Sequence, residues 1–142
     1  MNPIPPKFSW LQTALRILLG AFLLFTGVSH LTLSRAEFLA QVPTWLPLNA
    51  DLVVVLSGIA EILLGAGLIL LPRQRVLTGL AAAAFFVIIF PGNISQYVNR
   101  TDAFGLNSDH ARFIRLFFQP VLVAWALWST GAWRALRSRR LP

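Results

Sequence analysis

Three features of the sequence predict an all-α, integral membrane four-helix bundle. First, 56% of the residues are hydrophobic and only 12% are charged, with a mean hydropathy of +0.68. A soluble domain carries about 25% charged residues. At half that content, polar side chains are too few to cover a surface facing water. Second, the apolar residues fall into four runs. Each is near the ~20 residues that a helix rising ~1.5 Å per residue needs to cross a ~30 Å hydrocarbon core. Third, the basic residues sort by side, as membrane topology requires. The runs and their connections use nearly the whole chain, so a single membrane-embedded domain over residues 1–142 is expected, with no soluble domain attached.

The first span is expected over about residues 10–31, from Trp10 to Leu31. It is read as an uncleaved span, because the apolar run exceeds a signal-peptide core and no small-residue cleavage site follows. Arg16 lies near its start, where a long side chain can snorkel to the interface. A connection follows in which Pro43 and Pro47 resist a continuous helix. Phe38, Val42 and Trp45 are expected to lie along the membrane surface there, with the Trp45 indole at headgroup level. The second span is expected over 52–71, ending at Pro72. The third covers 76–97 and contains Pro91, which should kink it near its end. The fourth covers 113–133. Gly20 and Gly27, Gly58 and Gly65, and Gly79 with Ala83 supply small residues that let helices approach closely in lipid.

With four spans, both termini share one side with the link between spans two and three. Lys7, Arg16, Arg73, Arg75, Arg134, Arg137, Arg139 and Arg140 fall there, joined by no acidic residue. On the other side Arg35, Arg100, Arg112 and Arg115 are balanced by Glu37, Asp51, Asp102 and Asp109. Both termini are therefore expected in the cytoplasm. Topology accounts for the net charge of +7, so no nucleic-acid partner is expected. The partner expected from this charge is membrane lipid, anionic headgroups in particular.

Polar residues inside the spans carry the functional reading. Glu61 sits about ten residues, or roughly 15 Å, into span two. A carboxylate at that depth is costly unless it is protonated, paired or facing a wet cavity. Ser57, Gly58, Glu61 and Gly65 share a face of that helix. Glu61 is the candidate proton relay, and the bland alternative is a hydrogen bond that fixes helix packing. His30, Asn93, Arg115 and Gln119 are the candidate ligand-binding residues. All lie near the outer ends of their spans, and Arg115 and Gln119 are one turn apart. For Arg115 two readings stand: interfacial snorkelling, or an inward guanidinium meeting Glu61 or an anionic or carbonyl-bearing ligand. His30, His110, Asp102 and Asp109 lack metal-ligand spacing, and no metal site is assigned. Without cysteine, thiol chemistry and thiolate metal sites are excluded. No phosphate loop, nucleophile elbow or dinucleotide fingerprint is present.

Several short motifs together resemble the DoxX-type bacterial membrane proteins. They are Gly27-Val28-Ser29-His30, Val42-Pro43-x-Trp45-Leu46-Pro47, Ser57-Gly58-x-x-Glu61-x-x-x-Gly65-x-Gly67, Phe90-Pro91-Gly92-Asn93, and Phe118-Gln119-Pro120 with Trp125. Their order and spacing cover about residues 10–130. The resemblance implies a multi-pass protein of the bacterial cytoplasmic membrane. It also implies a redox-linked subunit that interacts with quinone, or with oxidoreductase or stress-defence partners such as a superoxide dismutase and a sulfurtransferase. It places His30, Glu61, Asn93 and Gln119 at the family's recurrent polar positions.

Two functions follow as expectations. In one, a quinone headgroup enters between helices, the ligand-binding residues hydrogen-bond its carbonyls, and Glu61 relays protons. Quinone is then the cofactor expected, since the sequence carries no motif for another, and electrons come from a partner. In the other, the bundle is a non-enzymatic scaffold that anchors partner proteins. A small-solute permease would require oligomerisation. Whether the chain catalyses anything is left open between these.

Overall fold

The computed structural model describes residues 7–32, 36, 38–39, 42–100 and 108–138. Arg35, Glu37, Asp102, Arg139 and Arg140, all used in the charge pattern above, lie outside the described residues. Five α-helices are seen among those described: α1 (Trp10–Leu31), α2 (Ala50–Leu70), α3 (Arg75–Val98), α4 (Asp109–Ser129) and the short α5 (Ala132–Ser138). A single 3-10 turn, Pro72–Gln74, joins α2 to α3.

Local chemistry sets the helix ends. Ser9 caps α1 reciprocally: its hydroxyl accepts from Gln12 N (3.1 Å) while its own N donates to Gln12 Oε1 (3.1 Å), which satisfies two free donors of the first turn. Asn49 accepts from Asp51 N and Leu52 N, so α2 begins two residues before the apolar run. Ser108 accepts from Ala111 N, so α4 begins at Asp109, four residues earlier than hydropathy suggests. α4 ends at Ser129 rather than 133, because Gly131 adopts φ +76°. That left-handed conformation breaks a helix and costs glycine little. α3 runs continuously through Pro91.

The helices pair as two antiparallel hairpins. Small residues fix the α1–α2 register, with Gly20 packed on Gly65 and Gly27 on Gly58. In the α3–α4 pair Gly79 lies against Thr130, and Tyr97 lies against Phe113 (5.7 Å between centroids). The hairpins join through α1 and α4: Trp125 Nε1 donates to Leu15 O (2.9 Å) and Gln12 Nε2 to Trp128 O (3.0 Å). The core holds Leu19, Leu23, Leu68, Ala82, Phe86 and Ala126. Phe8 and Gly131 pack together, and Arg75 lies 3.4 Å over the Phe8 ring. One end of the bundle therefore carries the segments leading to both termini.

Arg16 departs from the expectation of snorkelling. It is buried, at 4% exposure, and its guanidinium donates to the carbonyl of Leu68. The reason lies four residues further on. Pro72 has no N–H, so the Leu68 carbonyl lacks its helical donor, and Arg16 supplies one at the negative end of α2.

α1, α2, α4 and the stretch Pro72–Val98 are long and apolar enough to cross a membrane. Their outward faces agree. Phe25, Leu63, Ile88 and Phe117 are each more than half exposed, an arrangement that suits lipid and is unfavourable in water. Trp10 and Trp133 are exposed at one end and Trp45 at the other, the placement of interfacial aromatic belts. The chain is an all-α, multi-pass membrane protein.

Candidate functional site

At the end opposite the termini, the bundle opens into a cavity of about 750 Å³. Each of the four long helices contributes a polar side chain to it: His30 from α1, Glu61 from α2, Asn93 from α3, and Arg115 with Gln119 from α4. All five residues singled out in the sequence thus line one space. The rest of the wall is mainly apolar, including Phe22, Phe25, Phe86, Ile89 and Leu122. Phe38, Val42, Pro43 and Trp45 of the α1–α2 connection also line it, rather than lying only along the membrane surface. The volume falls in the range of pockets that hold organic ligands.

His30 and Glu61 meet although they sit at different depths. From the glycine register, His30 stands opposite Val55, about 9 Å of helix rise from Glu61. Side chains lean toward the N-terminus of their own helix. In antiparallel neighbours that tilts His30 inward and Glu61 outward, and the gap closes. His30 Nδ1 lies 2.8 Å from Glu61 Oε2 and 2.9 Å from Thr26 O.

These two contacts compete. Nδ1 bears at most one hydrogen. The contact with Thr26 has hydrogen-bond alignment, whereas that with Glu61 has ion-pair distance without it. Glu61 Oε2 is buried and has no aligned hydrogen bond. The pair therefore answers the cost of a carboxylate in the membrane interior by proximity, while leaving one oxygen under-satisfied. The His30 ring is also stacked on Phe38, with centroids 3.4 Å apart.

The amide pair is more self-contained. Asn93 Nδ2 donates to Gln119 Oε1 (3.0 Å), and Gln119 Nε2 donates to Phe86 O (2.7 Å). Phe86 precedes Val87, whose carbonyl loses its helical donor at Pro91. The α4 amide thus inserts one residue before the carbonyl that Pro91 leaves without its helical donor.

The two arginines at the start of α4 differ. Arg112 is buried and bonds Asp109 Oδ1 at 3.0 Å. Arg115 is half-buried, lines the cavity, and has no ion pair or hydrogen bond among the described residues. Glu61, the carboxylate considered for it in the sequence, is engaged with His30 instead.

Sequence reasoning missed the Thr26 carbonyl, the Phe38 stack and the capping role of Arg16. The Arg16 role was detectable, because Pro72 four residues after Leu68 marks a carbonyl without a donor. Among the described residues no three His, Asp or Glu side chains group in a way that could hold a metal ion.

Fold and cavity define a class: a multi-pass membrane bundle with a polar-lined internal pocket. The family model described as Domain of unknown function (DUF8561) matches residues 19–130. The chain belongs to that family, and the match spans all five cavity residues. Neither the curated proteins nor the solved structures gave a match.

Proposed function

We propose that this chain is a redox-linked subunit of the bacterial cytoplasmic membrane, with both termini in the cytoplasm, and that its cavity receives a quinone-type ligand. The observation that carries this is the convergence of five polar side chains from four helices on one largely apolar cavity of about 750 Å³. A quinone requires apolar walls, polar groups for its carbonyl oxygens, and a route for protons. The walls are present in Phe22, Phe25 and Phe86. Arg115 and the unused amide hydrogens of Asn93 and Gln119 are donors. The Glu61–His30 pair can deliver or take a proton. Electrons would come from an oxidoreductase partner, so that two electrons and two protons convert quinone to quinol. The motif resemblance to DoxX-type proteins is a separate ground; the matched family has no assigned function.

A scaffold reading is favoured by one observation: Asn93, Gln119 and Phe86 O largely satisfy each other, as packing alone would require. The test separates the two. Protein purified gently from native membranes is extracted, and quinone is quantified by mass spectrometry beside Glu61→Gln and an unrelated four-span control. Near-stoichiometric quinone in wild type, reduced in the variant and absent from the control, is expected. Quinone at the control level in wild type would reject the redox reading in favour of the scaffold.

A further inference from the structure

Charge within the cavity is unevenly matched. Among the described residues its lining carries one carboxylate, Glu61, and that group is taken up by His30 at 2.8 Å. The nearby acidic residue of α4, Asp109, is bonded to Arg112. The charged side chain of Arg115 faces the cavity with neither ion pair nor hydrogen bond among the described residues. A guanidinium is always charged and presents a planar fork of donors. Half-buried beside aromatic and aliphatic walls, it keeps its charge at a cost that a matching anion would remove.

We infer that the cavity selects an acidic amphiphile, a monoanion whose oxygen pairs with Arg115 and whose apolar body lies against Phe22, Phe25 and Phe86. This deepens the ligand-site reading above and rests on it. The shared chemistry is an ionised oxygen on an apolar body, and two sources supply it: an acidic ring such as a hydroxylated quinone, or an aliphatic carboxylate. Arg115 is the specificity residue, because the amide donors of Asn93 and Gln119 are partly consumed by each other and by Phe86 O. Arg115 and Gln119 share one face of α4, so the anion would sit beside the amide pair.

The test uses the full chain in phosphatidylcholine nanodiscs and two matched pairs of probes, measured by calorimetry. One pair is an alkyl-hydroxynaphthoquinone, ionised at neutral pH, and its methyl ether. The other is dodecanoate and its methyl ester. Wild type is expected to bind at least one acid ~10-fold or more tightly than its neutral partner, the scale of a charge-assisted hydrogen bond. Arg115→Gln should bring that ratio to about one, the acid losing ~10-fold or more in affinity relative to its neutral partner. Arg115→Lys should retain most of the preference. Without ligand, Arg115→Gln should be at least as heat-stable as wild type, which a structural role for the arginine would not give.

An acid preference absent in wild type, or acid and neutral probes weakened equally by Arg115→Gln, would overturn the inference. Binding of the neutral ether with no acid preference would overturn it and leave the quinone reading standing. Preference for dodecanoate with neither quinone bound would support Arg115 as the acid site and reject the quinone reading. Wild type that binds none of the probes would overturn both.

Discussion

Two glycines two positions apart in sequence, Gly65 and Gly67, bracket the effect of close helix packing. A Cβ built on Gly65 would stand 2.6 Å from Gly20 O and 2.9 Å from Leu24 N. Both atoms are α1 backbone and cannot swing aside. Ordinary contact begins at 3.4 Å, so α1 and α2 would have to part locally by about 0.8 Å, the difference between the two distances. Overpacking of this kind costs ~1–3 kcal/mol. A Cβ on Gly67 would meet Thr78 Cγ2 at 3.1 Å and Thr78 Cβ at 3.9 Å, a small intrusion on a side chain that can yield. Both changes to alanine gain a similar ~0.5–1 kcal/mol of helix preference. Gly65→Ala is therefore expected to destabilise by about 1–2 kcal/mol net, and Gly67→Ala to be neutral or slightly stabilising. Reversible unfolding in mixed micelles with increasing dodecyl sulfate, followed by circular dichroism, measures both. Equal effects at the two sites, or a neutral Gly65→Ala, would refute the packing of α1 against α2 described above.

Two further outcomes follow from the buried polar contacts. Arg16→Leu should destabilise the bundle by ~1.5–3 kcal/mol, the worth of a charged donor to a carbonyl. In a Pro72→Ala background, where residue 72 regains an N–H for Leu68 O, the same change should cost at least ~1 kcal/mol less; equal costs in the two backgrounds would remove Leu68 O as the reason for burying Arg16. Asn93→Leu strips Gln119 Oε1 of its donor and should lower stability in the same unfolding assay by about 0.6–1.7 kcal/mol, as interhelical bonds in membranes do; a stabilised variant would show the amide pair to be held for a purpose other than packing.

Much of the architecture was legible one residue at a time. A chain with 12% charged residues and four apolar runs has few ways to bury its backbone polar groups, and helices satisfy them segment by segment. The span positions followed, within a few residues, because lipid thickness sets helix length. Where the limits shifted, at Asn49, Ser108 and Gly131, the cause was capping or a left-handed turn, features that hydropathy does not weigh. Glu61, His30, Asn93, Arg115 and Gln119 stood out for the same reason: a polar group in an apolar run must be compensated.

The nature of that compensation is a property of pairs, and pairs belong to the tertiary structure. In sequence the side chain considered as a partner for Glu61 was Arg115. The glycine register of α1 on α2, with side chains leaning toward each other in antiparallel helices, brought Glu61 to His30 and left Arg115 to the cavity. Arg16 near a span end read as interfacial until the fold placed it at the carbonyl that Pro72 leaves free. The sequence determined that this protein is a membrane bundle with polar residues to account for, because composition and run length act locally and add up. Which of those residues are satisfied, and which still face an open space, depended on helix register and packing distance, and only the assembled bundle decides those.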